Sequence, residues 1–445
     1  VQRVVKNKKG NKMNKKNLVA AVVGVLVVGG ASGQFYATHK LKSSYQNNFN
    51  IQDKRLNVDV TQFDMGLVSG KARWNAEIVP DLCDKNNMSK IIKIRSEDTI
   101  KRTLSGYRVH SKIYVTSPQD NQEFFLFDAY TDSTWSGNLH TEWVREAGAE
   151  LVDGSTVKWD TARLAFDLQH SGKENTISHV KFSAPYFAVQ DIKEGLSLEM
   201  KDMEATSDWL DFVPVRNNTS VGKIGSVSFS MRKDDKTEVN LLFKQIESVE
   251  QSVIKDGMLD LINDYHIGSV TFNQYTFDQI KFNAAAKNIN MDVVKLVNDF
   301  LKTEQGQRCV PYEEMGKMGT EIYLKLLQKG IFFESKGNQI RLNNSSVVAN
   351  AEFALPKGDF PNKEAAQAIV EAFVKRQGIK ADMSVDRQFI DELNKLISEI
   401  DKKPMMDKAE LDKQIQEIVT SLGGKMDDKT IVLTFPPQVP QATQE

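Results

Sequence analysis

From about residue 51 onward, apolar side chains recur at every second position, in short runs separated by polar or glycine-containing links. Leu56, Val58 and Val60 form one such run, and Ala72, Trp74, Ala76 and Ile78 form the next. Further runs cover 109–115, 123–127, 157–168, 177–182, 196–200, 224–229 and 238–243. Successive side chains of a strand point to opposite faces, so this period predicts half-buried antiparallel strands. The spacing of the runs predicts a meander joined by short turns. Pairs such as Ser105-Gly106 and Asp153-Gly154 suit those turns, because glycine reaches positive φ without steric cost.

The second half mixes periods. Ile246, Val249, Val253, Met258, Leu261 and Ile262 recur at helical spacing and predict a helical link, followed by strands over 267–282. Asn290 or Asp292 opens a helix with Val293, Val294, Leu296, Val297, Phe300 and Leu301 on its apolar face. A second helix is expected over 313–329, with Gly330 as its C-cap. Strands follow at 331–334, 339–342 and 347–355, then helices at 364–375, 385–400 and 407–422, and a last strand at 429–435. The fold class expected is α+β: an elongated, mainly antiparallel sheet with packed helices. The recurrence of strands and helices suggests a duplication, with a β-rich domain over 38–245 and an α+β domain over 246–435. The polar tail 436–445 carries too little apolar surface to order itself.

Residues 18–37 carry no charge and follow a basic segment, 1–17, that holds Arg3, Lys6, Lys8, Lys9, Lys12, Lys15 and Lys16 but no acid. As a helix, such a segment rises about 30 Å, the thickness of a bilayer's hydrocarbon. Basic residues before an apolar run mark an export signal or an N-in membrane helix. A retained transmembrane helix is the expectation, with a signal cleaved near Ala31, Ser32 and Gly33 as the alternative. Met13 reads as a natural start. This predicts a single-pass membrane protein with the bulk of the chain across the membrane from its basic terminus.

Chemistry is harder to find. The 58 basic and 59 acidic residues nearly cancel and are scattered, which excludes the positive field of a nucleic-acid reader. The glycines form neither GxGxxG nor a phosphate loop, so no nucleotide or other cofactor is expected. Six histidines, at 39, 110, 140, 170, 179 and 266, include no HExxH. His170, Glu174 and His179 flank one turn and would be the nearest approach to a metal site, yet Ser-Gly-Lys-Glu-Asn reads as a solvated turn, so no metal is expected. Asp64, Asp202 and Glu204 read as surface charge, and no serine sits in GxSxG. Cys83 and Cys309 would form a disulfide in an exported protein or stand as two buried thiols. No catalytic residue is expected.

Aromatic residues carry the strongest functional signal. Phe124, Phe125, Phe127, Tyr130, Trp135, Trp143 and Trp159 crowd the first half, followed by Phe182, Tyr186, Phe187 and Trp209. They build either a core or a groove for an apolar ligand or another protein. The first expectation is a non-enzymatic binding or scaffolding protein of the cell envelope. Its alternatives are a lipid or hydrophobic-ligand binder and, more weakly, a hydrolase with an unrecognised site.

The early strand pair is broken by Phe63-Asp64-Met65-Gly66-Leu67-Val68-Ser69-Gly70. With the basic start, the single apolar run and the pattern of 331–356 followed by 365–373, this chain resembles the YdgA-like family of bacterial envelope proteins, a domain of unknown function. Phe63, Gly66, Leu67, Val68 and Ser69 match the family's aromatic–x–x–Gly–hydrophobic–hydrophobic–Ser break. Gly70 departs from it where a second serine is frequent, and Pro436-Pro437 replaces the usual end of the last strand. The resemblance implies an inner-membrane-anchored, self-associating periplasmic protein of Gram-negative bacteria with no established catalytic residue.

Overall fold

In the computed structural model, the described part of the chain runs from 51 to 435. Within it, 53–55, 67, 79–90, 104–105, 117–121, 135–137, 153, 172–173, 192–193, 211–213, 234–235, 303–311, 356, 376–378 and 402–403 lie outside the description, as do 1–50 and 436–445. The described residues form one sheet of 21 strands. Its first part contains β1 (Ile51–Gln52), β2 (Leu56–Met65), β3 (Ser69–Ile78), β4 (Ile92–Arg102), β5 (Gly106–Thr116), β6 (Glu123–Thr134) and β7 (Leu139–Arg145). Next come β8 (Gly148–Val152), β9 (Ser155–Trp159), β10 (Ala162–Ser171), β11 (Glu174–Asp191) and β12 (Leu196–Trp209). The long strands β13 (Asn218–Lys233), β14 (Lys236–Lys255), β15 (Met258–Phe272) and β16 (Tyr275–Asn290) follow. Helices α1 (Met291–Lys302) and α2 (Tyr312–Lys329) precede β17 (Phe332–Leu342) and β18 (Ser345–Ala354). The chain continues through α3 (Lys363–Lys375), β19 (Ile379–Asp386), α4 (Arg387–Asp401), α5 (Lys408–Ser421), β20 (Lys425–Met426) and β21 (Thr430–Phe435).

Every pairing is antiparallel, and nearly every strand pairs with its neighbour in sequence. β7 pairs with β10 around the β8–β9 hairpin, and β11 holds β10 and β9 along one edge and β12 along the other. At the far end β19 pairs with β21. The hairpins close tightly. Asp256 and Gly257, at φ 52° and 74°, join β14 to β15, the left-handed geometry that two-residue hairpins require.

The helices start and stop where local chemistry dictates. The Asn290 side chain accepts the Asp292 N–H at 3.0 Å at the head of α1, and Asp407 accepts the Ala409 N–H at 2.9 Å at the head of α5. Gly330, at φ 74°, ends α2. Val294 of α1 packs on Leu259, Leu261 and Ile254 at one end of β14–β15. Phe389 of α4 and Val419 of α5 pack with Leu342, Val385, Ile431 and Phe277 over the last strands.

Two expectations are corrected here. No helix among the described residues is long and apolar enough to cross a membrane. The longest, α2, carries Glu313, Glu314, Lys317, Glu321, Lys325 and Lys329, and the others are short and amphipathic. The expected fold with a transmembrane helix, the single-pass inner-membrane location and the membrane as partner do not stand for the described residues. Segment 18–37, on which they rested, lies outside them. Homo-oligomer and lipid-binding expectations find no support there either. The second correction is the helical link: 246–262 belongs to β14 and β15, and the expected domain cut after 245 falls inside β14.

Candidate functional site

The family motif lies at the β2–β3 turn. Phe63 is buried in the core of the first strands. The Gly66 N–H donates to the Ser69 carbonyl at 2.9 Å, and the Val68 carbonyl accepts the Arg102 N–H at 2.8 Å, tying the turn to the end of β4. The Val68 side chain is 69 % exposed. Leu67, Cys83 and Cys309 lie outside the described residues, and the expectation of a disulfide or two thiols with them. Phe63, Gly66, Val68 and Ser69 shape the turn and hold no acid, base or thiol.

The histidines sort differently from their sequence spacing. His179 meets Asp167 at 2.9 Å, and His140 meets the other oxygen of the same carboxylate at 2.7 Å. His110 lies 2.6 Å from Asp128 and stacks on Tyr130 with ring centroids 4.7 Å apart. The side chains of His170 and Glu174 lie outside the description. Ser178 also approaches His179, at 3.3 Å, which brings a serine, a histidine and an aspartate together. Both contacts, however, use His179 Nδ1. A relay needs the serine on one ring nitrogen and the carboxylate on the other, and Ser178 is fully buried. Among the described residues, no group of three or more His, Cys, Asp or Glu side chains could hold a metal ion.

The aromatic residues divide between two settings. Trp74 and Tyr107 are enclosed in the β2–β6 core, where burial pushes the Tyr107 phenol up. Phe127 stacks on Trp143 at 4.8 Å, and Trp143 meets Phe166 edge-on at 5.4 Å. Phe182, Tyr265 and Phe282 instead remain 37 %, 40 % and 50 % exposed.

Those three mark a surface on β11–β16. Cross-strand register places Met200, Val227, Phe243, Val270 and Phe277 in one row. A second row consists of Met203, Ile224, Ile246, Ile267 and Ile280. Phe182, Ala205, Gly222, Ser248, Tyr265 and Phe282 form a third. Strands about 4.8 Å apart, five in the first two rows and six in the third, make each row a stripe on the order of 20 Å long, wholly apolar in the first two. Ser207, Ser220, Glu250 and Asn263 border the third row, and the Tyr265 hydroxyl donates to Glu250 at 3.2 Å. α1 covers the strand ends beyond this polar border, α2 packs on β16 and on α1, and α4 and α5 cover the far side beyond Phe277. Between them the first two rows are half-buried, Phe182, Tyr265 and Phe282 of the third are exposed, and no described side chain of β12 or β13 is buried.

The opposite face is charged. Glu204, Lys223, Glu247, His266 and Lys281 follow one another across the strands. Lys223 and Glu247 pair at 2.8 Å; this contact holds the ammonium pKa up and the carboxylate pKa down. One face can therefore gain free energy by losing water, while the other keeps its ions solvated.

Sequence reasoning missed this surface. Its signal was present as apolar residues three apart, at 200 and 203, 224 and 227, 243 and 246, 267 and 270, and 277 and 280. No curated protein matches the chain, and no solved structure does. A family model described as bacterial protein of unknown function (DUF945) matches residues 13–434, nearly the whole chain, and the protein belongs to that family, the YdgA-like one.

Proposed function

We propose that this protein is a non-enzymatic binding or scaffolding protein that holds a partner polypeptide's apolar surface on the open face of β12–β16. The row Met203, Ile224, Ile246, Ile267 and Ile280 carries the reading: five aliphatic side chains in cross-strand register, half-buried, with α1 and α2 packed on β16 and α4 and α5 packed beyond Phe277. Contiguous exposed apolar surface is costly in water, and natural proteins keep it mainly where something docks. Burying the remaining exposed area would contribute about 25 cal/mol per Å², enough for affinity without any reactive group. The charged reverse face supplies solubility and leaves one side for docking.

An environment-sensitive naphthalene dye reports whether the apolar face accepts a hydrophobic group. The wild-type chain should bind it. Ile246→Lys together with Ile267→Lys should lower the bound fraction by about tenfold, the effect of roughly 1.4 kcal/mol. His266→Ala, on the reverse face, should leave it unchanged. Equal binding by the double variant and wild type would sink the proposal.

A further inference from the structure

One line across the sheet breaks five successive ladders at the same height. Pairing runs Ala184↔Met203 and Tyr186↔Lys201, then Lys201↔Ser226 and Met203↔Ile224, and so on to Ser269↔Asp278 and Ile267↔Ile280. The register is the same on both sides of the line, so no residue has been inserted. The positions skipped are Pro185, Asp202, Gly225, Gln245, Gly268 and Gln279.

Their chemistry alternates with the strands. Asp202, Gln245 and Gln279 have φ of 53°, 54° and 49°, the left-handed region that L residues seldom enter. Between them stand glycines. A Cβ on Gly225 would lie 2.7 Å from Asp202 Oδ2, and one on Gly268 would lie 2.9 Å from Gln245 Cβ. Asp202 and Gln245 therefore lay their side chains into space that only glycine leaves open on the neighbouring strand. Burial also changes step here. Lys201 and Asp202 are both exposed, as are Lys244 and Gln245, where a regular strand would alternate.

We infer that this line is a phase switch built into the sheet: it turns the two out-of-step halves of the apolar pattern onto one face. In an uninterrupted strand, Met200 and Met203, three residues apart, would point to opposite faces, as would Phe243 and Ile246. The left-handed residue between them absorbs the odd step. Asp202, Gln245, Gln279, Gly225 and Gly268 thus act as positioning residues for the apolar rows. The inference concerns which side chains share a face and stands whether or not the binding reading holds.

Intramolecular cross-linking tests it in the full chain with Cys83→Ser and Cys309→Ser. Met200→Cys/Met203→Cys is compared with Met200→Cys/Glu204→Cys, using a short rigid bis-maleimide and peptide mass spectrometry. The 200/203 pair should cross-link at least about tenfold faster, because the sheet separates 200 from 204. Equal rates, or a faster 200/204 pair, would overturn the inference. Phe243→Cys/Ile246→Cys against Phe243→Cys/Glu247→Cys repeats the comparison in β14 should the first set fold poorly. Gly268→Val in the 243/246 background should remove the preference, whereas Gln245→Gly should keep it.

Discussion

Strands β2–β7 and strands β11–β16 belong to one continuous sheet, yet they treat their side chains in opposite ways. In β3 the burial alternates strictly, with Ala72, Trp74 and Ala76 enclosed and their neighbours in solvent. Ile94, Ser96, Asp98 and Ile100 do the same in β4, and Val109, Ser111 and Ile113 in β5. The core they form contains Val58, Trp74 and Ile113 with no exposed surface. Among the described side chains of β12–β16, only Ser252, Leu259, Ala285 and Asn290 are buried. A strand's alternation is enforced by the face it must hide. Where neither face is sealed, apolar residues can stand on both sides and the period blurs.

The sharpest way to break this comparison is truncation. Trp74→Ala should cost about 3–5 kcal/mol, because the enclosed core cannot refill the space. Ile246→Ala should cost less than about 1 kcal/mol, since its side chain stays partly wet when folded. Urea unfolding of both variants checks this. Similar losses would mean that the β12–β16 face is sealed by something and that the two regions do not differ.

A smaller effect should come from the polar members of the closed core. Thr131 and Thr141 are buried opposite each other, with their hydroxyls 3.1 Å apart. Thr131→Val strands the Thr141 hydroxyl in an apolar setting and should cost about 1–2 kcal/mol. Adding Thr141→Val should recover part of that loss. A thermodynamic cycle with purely additive losses would show that the hydroxyls do not depend on each other.

The same contrast explains what could be read from the sequence. Trp74, Ala76 and the runs near them were legible as strands because one buried face enforces a period of two. The five helices lie close to the positions their apolar spacing indicates, since each buries one stripe. Residues 246–262 were misread as a helix. Ile246, Ser248, Glu250, Ser252 and Ile254 lie on one face, and Val249 and Val253 on the other. Neither set is uniformly apolar, so Ile246, Val249 and Val253 imitate a helical stripe. The phase switch was hidden for another reason. Gln245 and Gln279 are not residues whose type announces positive φ, a lone Asp202 inside a strand is a weak signal of it, and Gly225 and Gly268 alone read as ordinary weak points in strands. The His140–Asp167–His179 cluster was invisible because register, not sequence distance, brings β7, β10 and β11 together.

On the C-terminal side, Glu334 offers a pH test of how far the sheet beyond the open face is held by charge. Its carboxylate bonds Lys287 and lies 3.2 Å from Lys336; these contacts, Lys287 first, hold its pKa below the usual range. The stabilisation is present above the unfolded glutamate pKa and is lost as pH falls through the lower folded value. The melting temperature of wild type should therefore drop towards that of Glu334→Gln as pH is lowered from 5 to 3. A constant gap between the two proteins over that range would contradict the assignment.

The smallest effect expected is at the Lys223–Glu247 contact on the charged face. Lys223 is held protonated to higher pH by Glu247, and Glu247 is held ionised to lower pH by Lys223. The lysine part of the interaction is lost only as pH rises through its raised value, and the glutamate part only as pH falls through its lowered one. Between those limits neither group changes charge, so the contact gives no pH dependence near neutrality. Both side chains are substantially exposed, at 55 % and 41 %, and solvent screens the pair. Lys223→Gln and Glu247→Gln should each leave the melting temperature unchanged, in low salt and in high. A salt-sensitive drop in either variant would show that this face is covered and that its charges stabilise the sheet. The asymmetry between a solvated face and an apolar docking face would then fail.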